Sequence, residues 1–391
     1  MHTAAAMPPA RRTQARHLAV PSSSIADGAS PGAAPLRPMP TVLLTGATGY
    51  IASHAWLALQ QAGFDVVGVD DFSNSSPVVL QRLLRLAPRP PVFERADVGD
   101  AAAVEAVLQR HRIDAAVHFA AFKAVGESVQ RPLAYYRNNV GGLVTVCEAL
   151  QRHGIRRFVF SSSATVYGDP ERLPITEDAP LSATNPYGQT KLIGETLLRD
   201  LGAADPAWQT ACLRYFNPVG AHPSGLIGEH PSGTPNNLVP YITQVAAGRL
   251  ARLRIYGNDY PTRDGTGERD YIHVEDLARA HVAALDYASR FSGCEAINVG
   301  TGRGATVLEM IREIEAASGR KVPYEIVARR EGDIATSIAD VRKAERLLGW
   351  KAQYGIAEMC RSAWHWQSRN PNGYDSSHGP ENHGALLEEV S

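Results

Sequence analysis

The chain has 391 residues, of which 44% are hydrophobic and 20% are charged, and its formal net charge is -1. This is an ordinary globular composition, which excludes a chain that is disordered throughout. With so small a net charge there is no overall field to recruit nucleic acid or an anionic membrane surface, so we predict neither partner.

The two ends of the chain differ in composition from the part between them. Residues 1–39 are rich in Ala, Pro and Ser, with four arginines and Asp27 as the one acidic residue. Such a stretch buries too little apolar surface to order itself, so we predict a disordered extension over 1–39 and a flexible tail over 372–391. No apolar run approaches the roughly 20 residues that span a bilayer, so we expect a soluble protein.

Between these ends, short apolar runs alternate with helical patterns. The runs that we predict to be strands are Thr41–Thr45, Asp65–Asp70, Pro91–Ala96, Ala115–Ala120, Arg157–Ser161 and Thr210–Tyr215. After the first run, apolar residues recur with a 3.6-residue period from Ile51 to Ala62, and Gly63 then ends a predicted helix. This alternation predicts an α/β fold with a doubly wound, parallel Rossmann-type sheet. We expect this first domain over 40–218. A smaller mixed α/β domain follows over 219–371, and some of its segments return to the main sheet.

Ligands of such sheets bind beyond the carboxyl ends of the strands. The residues that follow the predicted strands include glycines, acids, hydroxyls and an amide: Gly46–Gly49, Asp70–Asp71, Asp97–Val98, Phe119–Lys123, Ser161–Ser163 and Phe216–Asn217. We therefore expect these residues to meet at one edge of the sheet.

A glycine-rich turn at this edge indicates a dinucleotide site. Gly46-x-x-Gly49-x-x-Ala52 follows a strand and opens a helix, where free backbone amides favour a pyrophosphate. Asp70 closes the second strand 21 residues after Gly49, at the spacing of an acid that binds ribose hydroxyls. Its charge would repel a 2′-phosphate, so the sequence favours NAD over NADP. The alternative is that Asp70 only caps a loop.

Tyr187 and Lys191 are four residues apart, which places them on one face of a helix. A nearby ammonium lowers the pKa of a phenol and prepares it to act as a base. The Ser163 hydroxyl is then available to hold a substrate oxygen beside the phenol. These three residues are the candidate catalytic group.

Several longer strings resemble the extended short-chain dehydrogenase/reductase superfamily and, within it, the UDP-glucose (UDP-galactose) 4-epimerase family. The resemblance covers roughly residues 40–370. The strings that carry it are residues 45–51 (TGATGYI), 123–129 (KAVGESV), 161–168 (SSSATVYG), 187–191 (YGQTK), 214–223 (RYFNPVGAHP), 235–238 (PNNL), 257–262 (GNDYPT), 270–274 (DYIHV) and 329–333 (RREGD).

This resemblance implies C4 epimerisation of a UDP-sugar with tightly bound NAD. Tyr187 would take the proton of the sugar 4-hydroxyl, and Ser163 would bind the reacting oxygen. Lys191 would bind the nicotinamide ribose and, together with the positive charge of the cofactor, lower the pKa of Tyr187. The 4-keto sugar would then turn over in the pocket before the hydride returns. Domain 40–218 would hold NAD and domain 219–371 the sugar nucleotide.

The resemblance also implies two sets of binding residues. Those for NAD are Gly46, Gly49, Tyr50, Ile51, Asp70, Asp71, Asn74, Asp97, Val98, Phe119, Ala120, Lys123, Asn138, Ser161, Tyr187, Lys191 and Phe216. Those for the sugar nucleotide are Lys123, Ser163, Tyr187, Asn217, Asn237, Leu238, Ile255, Tyr256, Arg269, Arg330, Asp333 and Ser337. Two arginines suit a diphosphate, because each guanidinium offers a fixed fork of donors.

Ser337 is the most informative departure within this set. The resemblance places it beside the sugar, at a position that is bulky in some family members and small in others. A serine leaves room at the sugar 2-position, which gives the hypothesis that UDP-N-acetylglucosamine and UDP-N-acetylgalactosamine are also substrates.

Other functions of the same fold stay open. A 4,6-dehydratase needs an additional acid for the loss of water, but Ala164 and Thr165 follow Ser163 and provide no carboxylate. A uronic-acid epimerase would need a cation for the sugar carboxylate. A catalytically inactive NAD sensor is the third alternative, and the intact Ser163, Tyr187 and Lys191 count against it.

The remaining residues with chemical potential receive structural interpretations. The four cysteines are far apart and form no C-x-x-C, so we expect buried thiols in a reducing, cytoplasmic compartment. His273 and His281 have no ligand spacing, and we predict no metal site. Trp364–Trp366 is predicted to pack on the core. A homodimer follows from the resemblance alone.

Overall fold

The computed structural model describes residues 39–231, 233–330 and 332–374. The predicted disordered extension over 1–39, apart from Met39 itself, and most of the predicted tail over 372–391 lie outside these residues. The strands are β1 (Thr41–Thr45), β2 (Asp65–Asp70), β3 (Val92–Arg95), β4 (Ala115–His118), β5 (Arg157–Ser163), β6 (Gln209–Tyr215), β7 (Asn217–Val219), β8 (Leu253–Tyr256), β9 (Glu268–His273), β10 (Gly293–Val299), β11 (Gly304–Thr306), β12 (Tyr324–Val327) and β13 (Thr336–Ser337).

The helices alternate with the first strands and later cluster in the second half of the chain. They are α1 (Tyr50–Gln61), α2 (Val78–Leu86), α3 (Ala101–Arg110), α4 (Val125–Gln130), α5 (Pro132–Tyr135), α6 (Gly142–Arg152), α7 (Pro186–Ala204), α8 (Leu238–Ala246), α9 (Val274–Ala288), α10 (Val307–Ser318), α11 (Arg342–Leu348) and α12 (Ile356–Arg369). A π-helical segment (Tyr136–Gly141) precedes α6, and a 3-10 turn (Ala164–Tyr167) follows β5.

Seven parallel strands form the main sheet, in the order β10-β6-β5-β4-β1-β2-β3. This confirms the predicted doubly wound, Rossmann-type α/β fold. The first two predicted strands have the observed bounds, and the predicted helix after β1 is α1, followed by Gly63 with a φ of 91°. Because β10 joins β6 at one edge, a late segment of the chain completes the sheet that the N-terminal half begins.

Two strand ends differ from the prediction in ways that matter for the site. The predicted strand Ala115–Ala120 ends two residues early, at His118, because Ala120 turns to lie against the glycine turn after β1. The predicted strand Arg157–Ser161 instead continues to Ser163, which pairs with Tyr215 of β6. The serine run is therefore part of the sheet rather than a loop beyond it.

The core around the main sheet depends on one close approach between a helix and a strand. Trp56 of α1 is fully buried and lies directly over Gly68 of β2. A Cβ atom added at Gly68 would lie 2.0 Å from Trp56 Cζ3, so a side chain cannot replace the glycine hydrogen without displacing the indole. Packing of this kind fixes α1, and with it the turn at its N-terminus, against the sheet.

A smaller assembly of strands and helices lies beside the main sheet. Strand β9 pairs with β7, β11 and β13, and β8 pairs with β12. Helices α8, α10 and α12 cover a separate apolar cluster that includes Ile242, Met310 and Cys360. Trp366 of α12 is buried, which confirms core packing for this aromatic residue.

The structure shows the state of the four cysteines and the apolar character of the helices. All four cysteines are free, with Cys147, Cys212 and Cys360 buried and Cys294 half-buried. Among the described residues, no helix combines the length and the apolar character that crossing a membrane requires.

Candidate active site

The carboxyl ends of the parallel strands place the candidate residues along one edge of the main sheet. At this edge Thr45 ends β1, and His118 ends the neighbouring strand β4. The Thr45 hydroxyl and the His118 Nδ1 atom are joined by a buried 2.8 Å hydrogen bond, which ties these two strand ends together. The edge is thus a rigid platform for the turns that follow it.

The glycine turn after β1 has the shape of a dinucleotide cradle. Gly46 has a φ of +66°, and a Cβ atom there would lie 2.7 Å from the Ala120 backbone nitrogen. Gly49 caps α1 without a side-chain hydrogen bond, and the first turn of the helix carries no acidic residue. Its free amides and the helix dipole therefore favour a phosphate group at this end. These features fit the pyrophosphate of NAD.

Asp70 is used partly as a loop cap and partly remains open for a ligand. Its Oδ2 atom accepts a 3.1 Å hydrogen bond from the Thr48 amide, and Oδ1 accepts from the Phe72 amide (2.9 Å) and the Ser75 hydroxyl (3.0 Å). A carboxylate accepts about four hydrogen bonds, so roughly one position remains for a ribose hydroxyl. The two sequence interpretations of Asp70 are therefore compatible.

The other residues predicted to hold the adenosine half lie on the neighbouring loops. Asp71 and Asp97 each accept a 2.8 Å hydrogen bond from a backbone amide two residues later, which fixes both carboxylates in Asx turns. Asn74 is exposed. Val98 is buried in the apolar cluster beneath the edge. The side chains of Asp71, Asn74 and Asp97 are therefore available to a ligand, and Val98 forms part of the apolar surface beneath them.

Tyr50 and Ile51, at the start of α1, connect the glycine turn to the second half of the chain. The Tyr50 hydroxyl donates a 2.6 Å hydrogen bond to the Gly220 carbonyl oxygen, and Ile51 packs against the core. The Lys123 ammonium lies 5.8 Å from the centroid of the Tyr50 ring. Its Nζ atom is also 3.0 Å from the carboxylate of Glu229.

Helix α7 carries the candidate base and its lysine. Asn185 caps it by accepting a 2.9 Å hydrogen bond from the Gly188 amide, and Pro186 starts its first turn. Lys191 is 3% exposed, and its Nζ atom donates a 2.6 Å hydrogen bond to the Ser161 carbonyl oxygen. The ammonium lies 5.9 Å from the centroid of the Tyr187 ring. The predicted pair is therefore assembled on one helix face.

Burial shifts the pKa values of both Tyr187 and Lys191. Burial raises the pKa of Tyr187 to about 12, although a hydrogen bond with Ser163 acts in the opposite direction. Burial lowers the pKa of Lys191 to about 7. The lowering of the Tyr187 pKa by Lys191 together with the positive charge of bound NAD stays a prediction, and burial is the effect that it has to overcome.

Ser163 stands at the end of β5, on the same side as Tyr187. Its Oγ atom accepts hydrogen bonds from the Thr165 amide (3.2 Å) and the Thr165 hydroxyl (3.0 Å). With two donors already facing Oγ, the Ser163 proton is directed away from them, towards Tyr187 or a substrate oxygen. The geometry suits a hydrogen-bond donor rather than a nucleophile.

Asn138, one of the residues predicted to bind the cofactor, is bonded to the buried amide of Asn139, which sequence reasoning missed. Asn139 lies next to Asn138 and accepts 2.9 Å from its amide nitrogen. The Asn139 amide also binds the Phe122 backbone at 2.8 and 3.0 Å and the Thr190 hydroxyl at 3.0 Å. It therefore connects the loop after β4 to α7. No spacing in the sequence distinguishes Asn139 from Asn138.

The remaining residues predicted to bind the cofactor line the strand ends. Phe119 packs against the core and lies 4.6 Å from the His281 ring, measured between centroids. Phe216 is buried just after β6, and its amide donates to the Val299 carbonyl oxygen at 3.1 Å. His281, predicted to be a packing residue, is buried and bonded to Tyr215 at 2.5 Å.

Three groups of substrate candidates lie on separate elements. Asn217 opens β7 and is exposed, while Asn237 and Leu238 stand at the start of α8. The Asn237 amide donates a 2.7 Å hydrogen bond to the Glu229 carboxylate. Glu229 therefore bonds both Lys123 and Asn237, a role that sequence reasoning missed because Lys123 and Glu229 are 106 residues apart in the chain.

The second group surrounds β8 and the segment after β12. Ile255 is buried, and the Arg330 guanidinium stacks 4.2 Å from the centroid of the Tyr256 ring. Arg330 Nε lies 4.0 Å from the Asp333 carboxylate. A guanidinium stacked on the half-buried Tyr256 ring suits an anion and a planar base.

Arg269 and Ser337 form a third pair, on adjacent strands. They are register partners in the parallel pairing of β9 with β13. One Arg269 guanidinium nitrogen donates to the carbonyl oxygens of Glu268 (2.9 Å) and Ala335 (3.3 Å). Ser337 has a small side chain and is 8% exposed.

The histidines near α9 have structural partners. His273 caps α9 by accepting from the Glu275 amide at 3.0 Å, and its other ring nitrogen bonds Ser362 at 2.9 Å. Within the described ranges, no three His, Cys, Asp or Glu side chains are grouped as a metal ion would require.

Comparison with known proteins gives one consistent result. The chain is 55% identical over 336 residues to UDP-glucose 4-epimerase of Bacillus subtilis, covering 86% of this chain and 99% of that protein. A UDP-glucose 4-epimerase from Bifidobacterium longum, in complex with NAD+ and UDP, superposes with a TM-score of 0.82 at 50% identity, covering 85% and 99% of the two chains. The UDP-Glc/GlcNAc 4-epimerase of Campylobacter jejuni superposes with a TM-score of 0.74 at 36% identity, covering 84% and 99%.

A protein-family model also matches this chain. The model of the NAD dependent epimerase/dehydratase family matches residues 42–300, which include the glycine turn, Ser163, Tyr187 and Lys191. The chain therefore belongs to the NAD dependent epimerase/dehydratase family.

Proposed function

We propose that this protein is a UDP-glucose 4-epimerase. It interconverts UDP-glucose and UDP-galactose through a transient 4-keto sugar while NAD stays bound. The observation that carries the proposal is the assembly of Tyr187, Lys191 and Ser163 beside a glycine turn that fits a pyrophosphate. The similarity to UDP-glucose 4-epimerases over nearly their whole length supports it.

The chain's own residues supply proton transfer and orientation. Tyr187 accepts the proton of the sugar 4-hydroxyl and later returns it, and Ser163 holds the same oxygen by donating a hydrogen bond. Bound NAD supplies a hydride acceptor that returns the hydride and a positive charge that favours the Tyr187 phenolate. Lys191, fixed by the Ser161 carbonyl oxygen, is placed to bind the nicotinamide ribose.

The sugar nucleotide is proposed to lie between the main sheet and the smaller assembly. Arg269 and Arg330 would bind the diphosphate, and Asp333 the uridine ribose. Ile255 and Tyr256 would contact uracil, since β8 brings both to the same region as Arg330. Asn217, Asn237, Leu238 and Lys123 would contact the sugar and phosphates.

Ser337 extends the proposal to N-acetylated substrates. Its small side chain would leave room for a 2-acetamido group, and a relative with 36% identity is named a UDP-Glc/GlcNAc 4-epimerase. We expect turnover of UDP-N-acetylglucosamine, and a Ser337→Tyr variant should lose it while it keeps UDP-glucose turnover. Normal UDP-glucose turnover without any turnover of the N-acetylated substrate in the unaltered protein would contradict this.

We infer that the enzyme is a homodimer that associates through α7. This helix carries the half-buried side chains of Leu192, Ile193, Leu197 and Leu201, which line a shallow groove together with Gln189, Thr196 and Asp200. A largely apolar groove of this kind suits an association site. Light scattering should give twice the chain mass, and Ile193→Glu should yield the monomer.

The free cysteines are also consistent with a cytoplasmic location.

The activity is tested directly with protein purified without added cofactor. UDP-galactose is incubated with the protein, the reaction is stopped by heat, and only then are UDP-glucose dehydrogenase and its NAD+ added to measure the UDP-glucose formed. Because no NAD is added during the first step, UDP-glucose shows epimerisation and retained NAD together. Absence of product even with excess NAD would rule out the epimerase and leave the other sugar-nucleotide enzymes and the NAD sensor.

A further inference from the structure

Glu195 lies on the same face of α7 as the two candidate catalytic residues, four residues after Lys191 and eight after Tyr187. It is 1% exposed. Its Oε1 atom accepts a 2.5 Å hydrogen bond from the hydroxyl of Ser162, the residue directly before Ser163. The carboxylate therefore joins the helix that carries the proposed base to the strand end that carries its hydrogen-bond partner.

The charge of Glu195 is matched by Arg214 of β6, which is 2% exposed. The two side chains form a bidentate pair, with Nε to Oε1 at 2.9 Å and Nη2 to Oε2 at 2.7 Å. Arg214 is also the register partner of Ser162 across β5 and β6. Glu195, Arg214 and Ser162 thus close a triangle between α7 and two strands.

The arginine is held on its other side as well. Its Nη1 atom donates to the Tyr167 hydroxyl at 2.7 Å and to the Glu177 carbonyl oxygen at 3.1 Å. The Tyr167 hydroxyl in turn donates to Asn298 at 2.6 Å. These hydrogen bonds fix the orientation of the Arg214 guanidinium. Because both carboxylate oxygens of Glu195 bind that guanidinium, the position of the carboxylate relative to the sheet is fixed as well.

A buried ion pair of this kind is a poor source of stability. The desolvation cost of two charges roughly offsets their attraction, and apolar residues of similar volume often replace such pairs without loss of stability. Fork-to-fork hydrogen bonds instead set geometry, because they fix both the rotation and the axial position of the helix. In an active site, a displacement of about 1 Å is enough to cost roughly 100-fold in rate.

We propose that Glu195 and Arg214 are positioning residues. They hold α7 at the rotation and axial position that bring the Tyr187 hydroxyl to Ser163 and the substrate oxygen. The inference rests on the proposed epimerase function. Neither side chain contacts the reacting atoms. Their effect falls on the chemical step rather than on binding of the sugar nucleotide, whose candidate residues lie on other elements.

The test uses the full chain with its retained cofactor and the double variant Glu195→Met/Arg214→Met. This variant removes both charges at similar volume, so we expect an unchanged melting temperature. We expect kcat for UDP-galactose to fall about 10- to 100-fold with KM within about 2-fold of the original. A double variant with unchanged melting temperature and unchanged kcat would overturn the proposal.

A second variant keeps the test decisive if the double variant fails to fold. Ser162→Ala removes only the hydroxyl that joins Glu195 to β5, and leaves the ion pair in place. It should lower kcat about 3- to 10-fold without a change in KM, since one positioning hydrogen bond is lost. An unchanged kcat in Ser162→Ala would also overturn the proposal.

The matched control is another ion pair of the same helix. Arg156 Nε lies 2.8 Å from Asp205, the residue that follows α7 at its far end. Arg156→Met should leave kcat unchanged, and a loss as large as that of Ser162→Ala would show general anchoring instead of local positioning. An inactive unaltered protein would contradict the epimerase function itself, whereas an active one with unaffected variants contradicts only the positioning role.

Discussion

The Lys191 ammonium donates a 2.6 Å hydrogen bond to the carbonyl oxygen of Ser161. This contact joins the middle of α7 to the end of β5, two residues before Ser163. It directs the lysine at the strand rather than at Tyr187, whose ring centroid lies 5.9 Å from the ammonium. The position of Lys191 therefore suits a ligand held beside the sheet edge, and proton transfer is left to Tyr187.

Tyr187→Phe should abolish most of the activity. The variant removes the proposed acid and base without changing the size of the ring, so kcat should fall about 100- to 10,000-fold while KM changes little. Steady-state kinetics with UDP-galactose measures this. Tyr374→Phe, which loses a hydrogen bond to the Gly228 carbonyl oxygen, serves as a control and should retain the rate. Near-normal turnover by Tyr187→Phe would assign the proton transfer to another group.

Lys191 should make folding stability depend on pH. Its pKa is lowered from 10.5 to about 7 in the folded protein, so between these values the unfolded chain binds the additional proton. Stability of the original protein relative to Lys191→Met should therefore rise with pH in this window, by up to about 1.4 kcal/mol per pH unit.

Urea unfolding of cofactor-free protein between about pH 7.5 and 9.5 measures this difference. In that range Tyr187 contributes no slope, because its pKa is raised from 10.0 to about 12 and its opposite effect begins only near pH 10. A stability difference that stays constant with pH would mean that Lys191 remains charged in the folded protein.

Gly46→Ala should lose the bound cofactor. The new methyl group would lie 2.7 Å from the Ala120 backbone nitrogen, in the turn that is proposed to receive the pyrophosphate. Gly248→Ala is a matched control, because Gly248 has a similar φ of +76° but open space around its Cα. Both variants carry a backbone cost of about 1–2 kcal/mol. Only Gly46→Ala should release less NAD per chain on heat denaturation, as measured by chromatography.

Gly68→Ala should destabilise the whole domain. A methyl group at this position would meet the Trp56 ring at 2.0 Å, and the indole has no free space to move into. We expect a loss of about 1–3 kcal/mol in unfolding free energy, the range for overpacked cores. Gly126→Ala, with no atom within 4 Å of the new methyl group, should be neutral or stabilising. Equal stability of the two variants would contradict the packing described for α1.

Local sequence patterns were sufficient to predict the glycine turn and six of the seven strands of the main sheet, all except β10. The period of apolar residues predicted α1, and the strand ends predicted which residues share an edge. These local patterns could not predict how deeply each side chain is buried. The spacing of Tyr187 and Lys191 predicted their proximity, but the direction of the Tyr187 pKa depends on desolvation by distant segments.

Contacts between distant residues were also beyond the sequence. Glu229 bonds Lys123 across 106 residues, and Glu195 bonds Arg214 on a different element, so no short motif contains either pair. The end of β4 at His118 was missed for a similar reason, because the turn after it is set by contact with the glycine turn after β1. Such features appear only when the packing is known.

The central claim is that hydride leaves and returns to C4 of the same sugar while Tyr187 moves the proton. UDP-galactose carrying deuterium at C4 tests this directly when it is incubated with the protein in ordinary water. The account predicts UDP-glucose that retains the deuterium at C4, because the hydride never exchanges with solvent. Loss of the label to water would contradict the account and indicate removal of the C4 hydrogen as a proton.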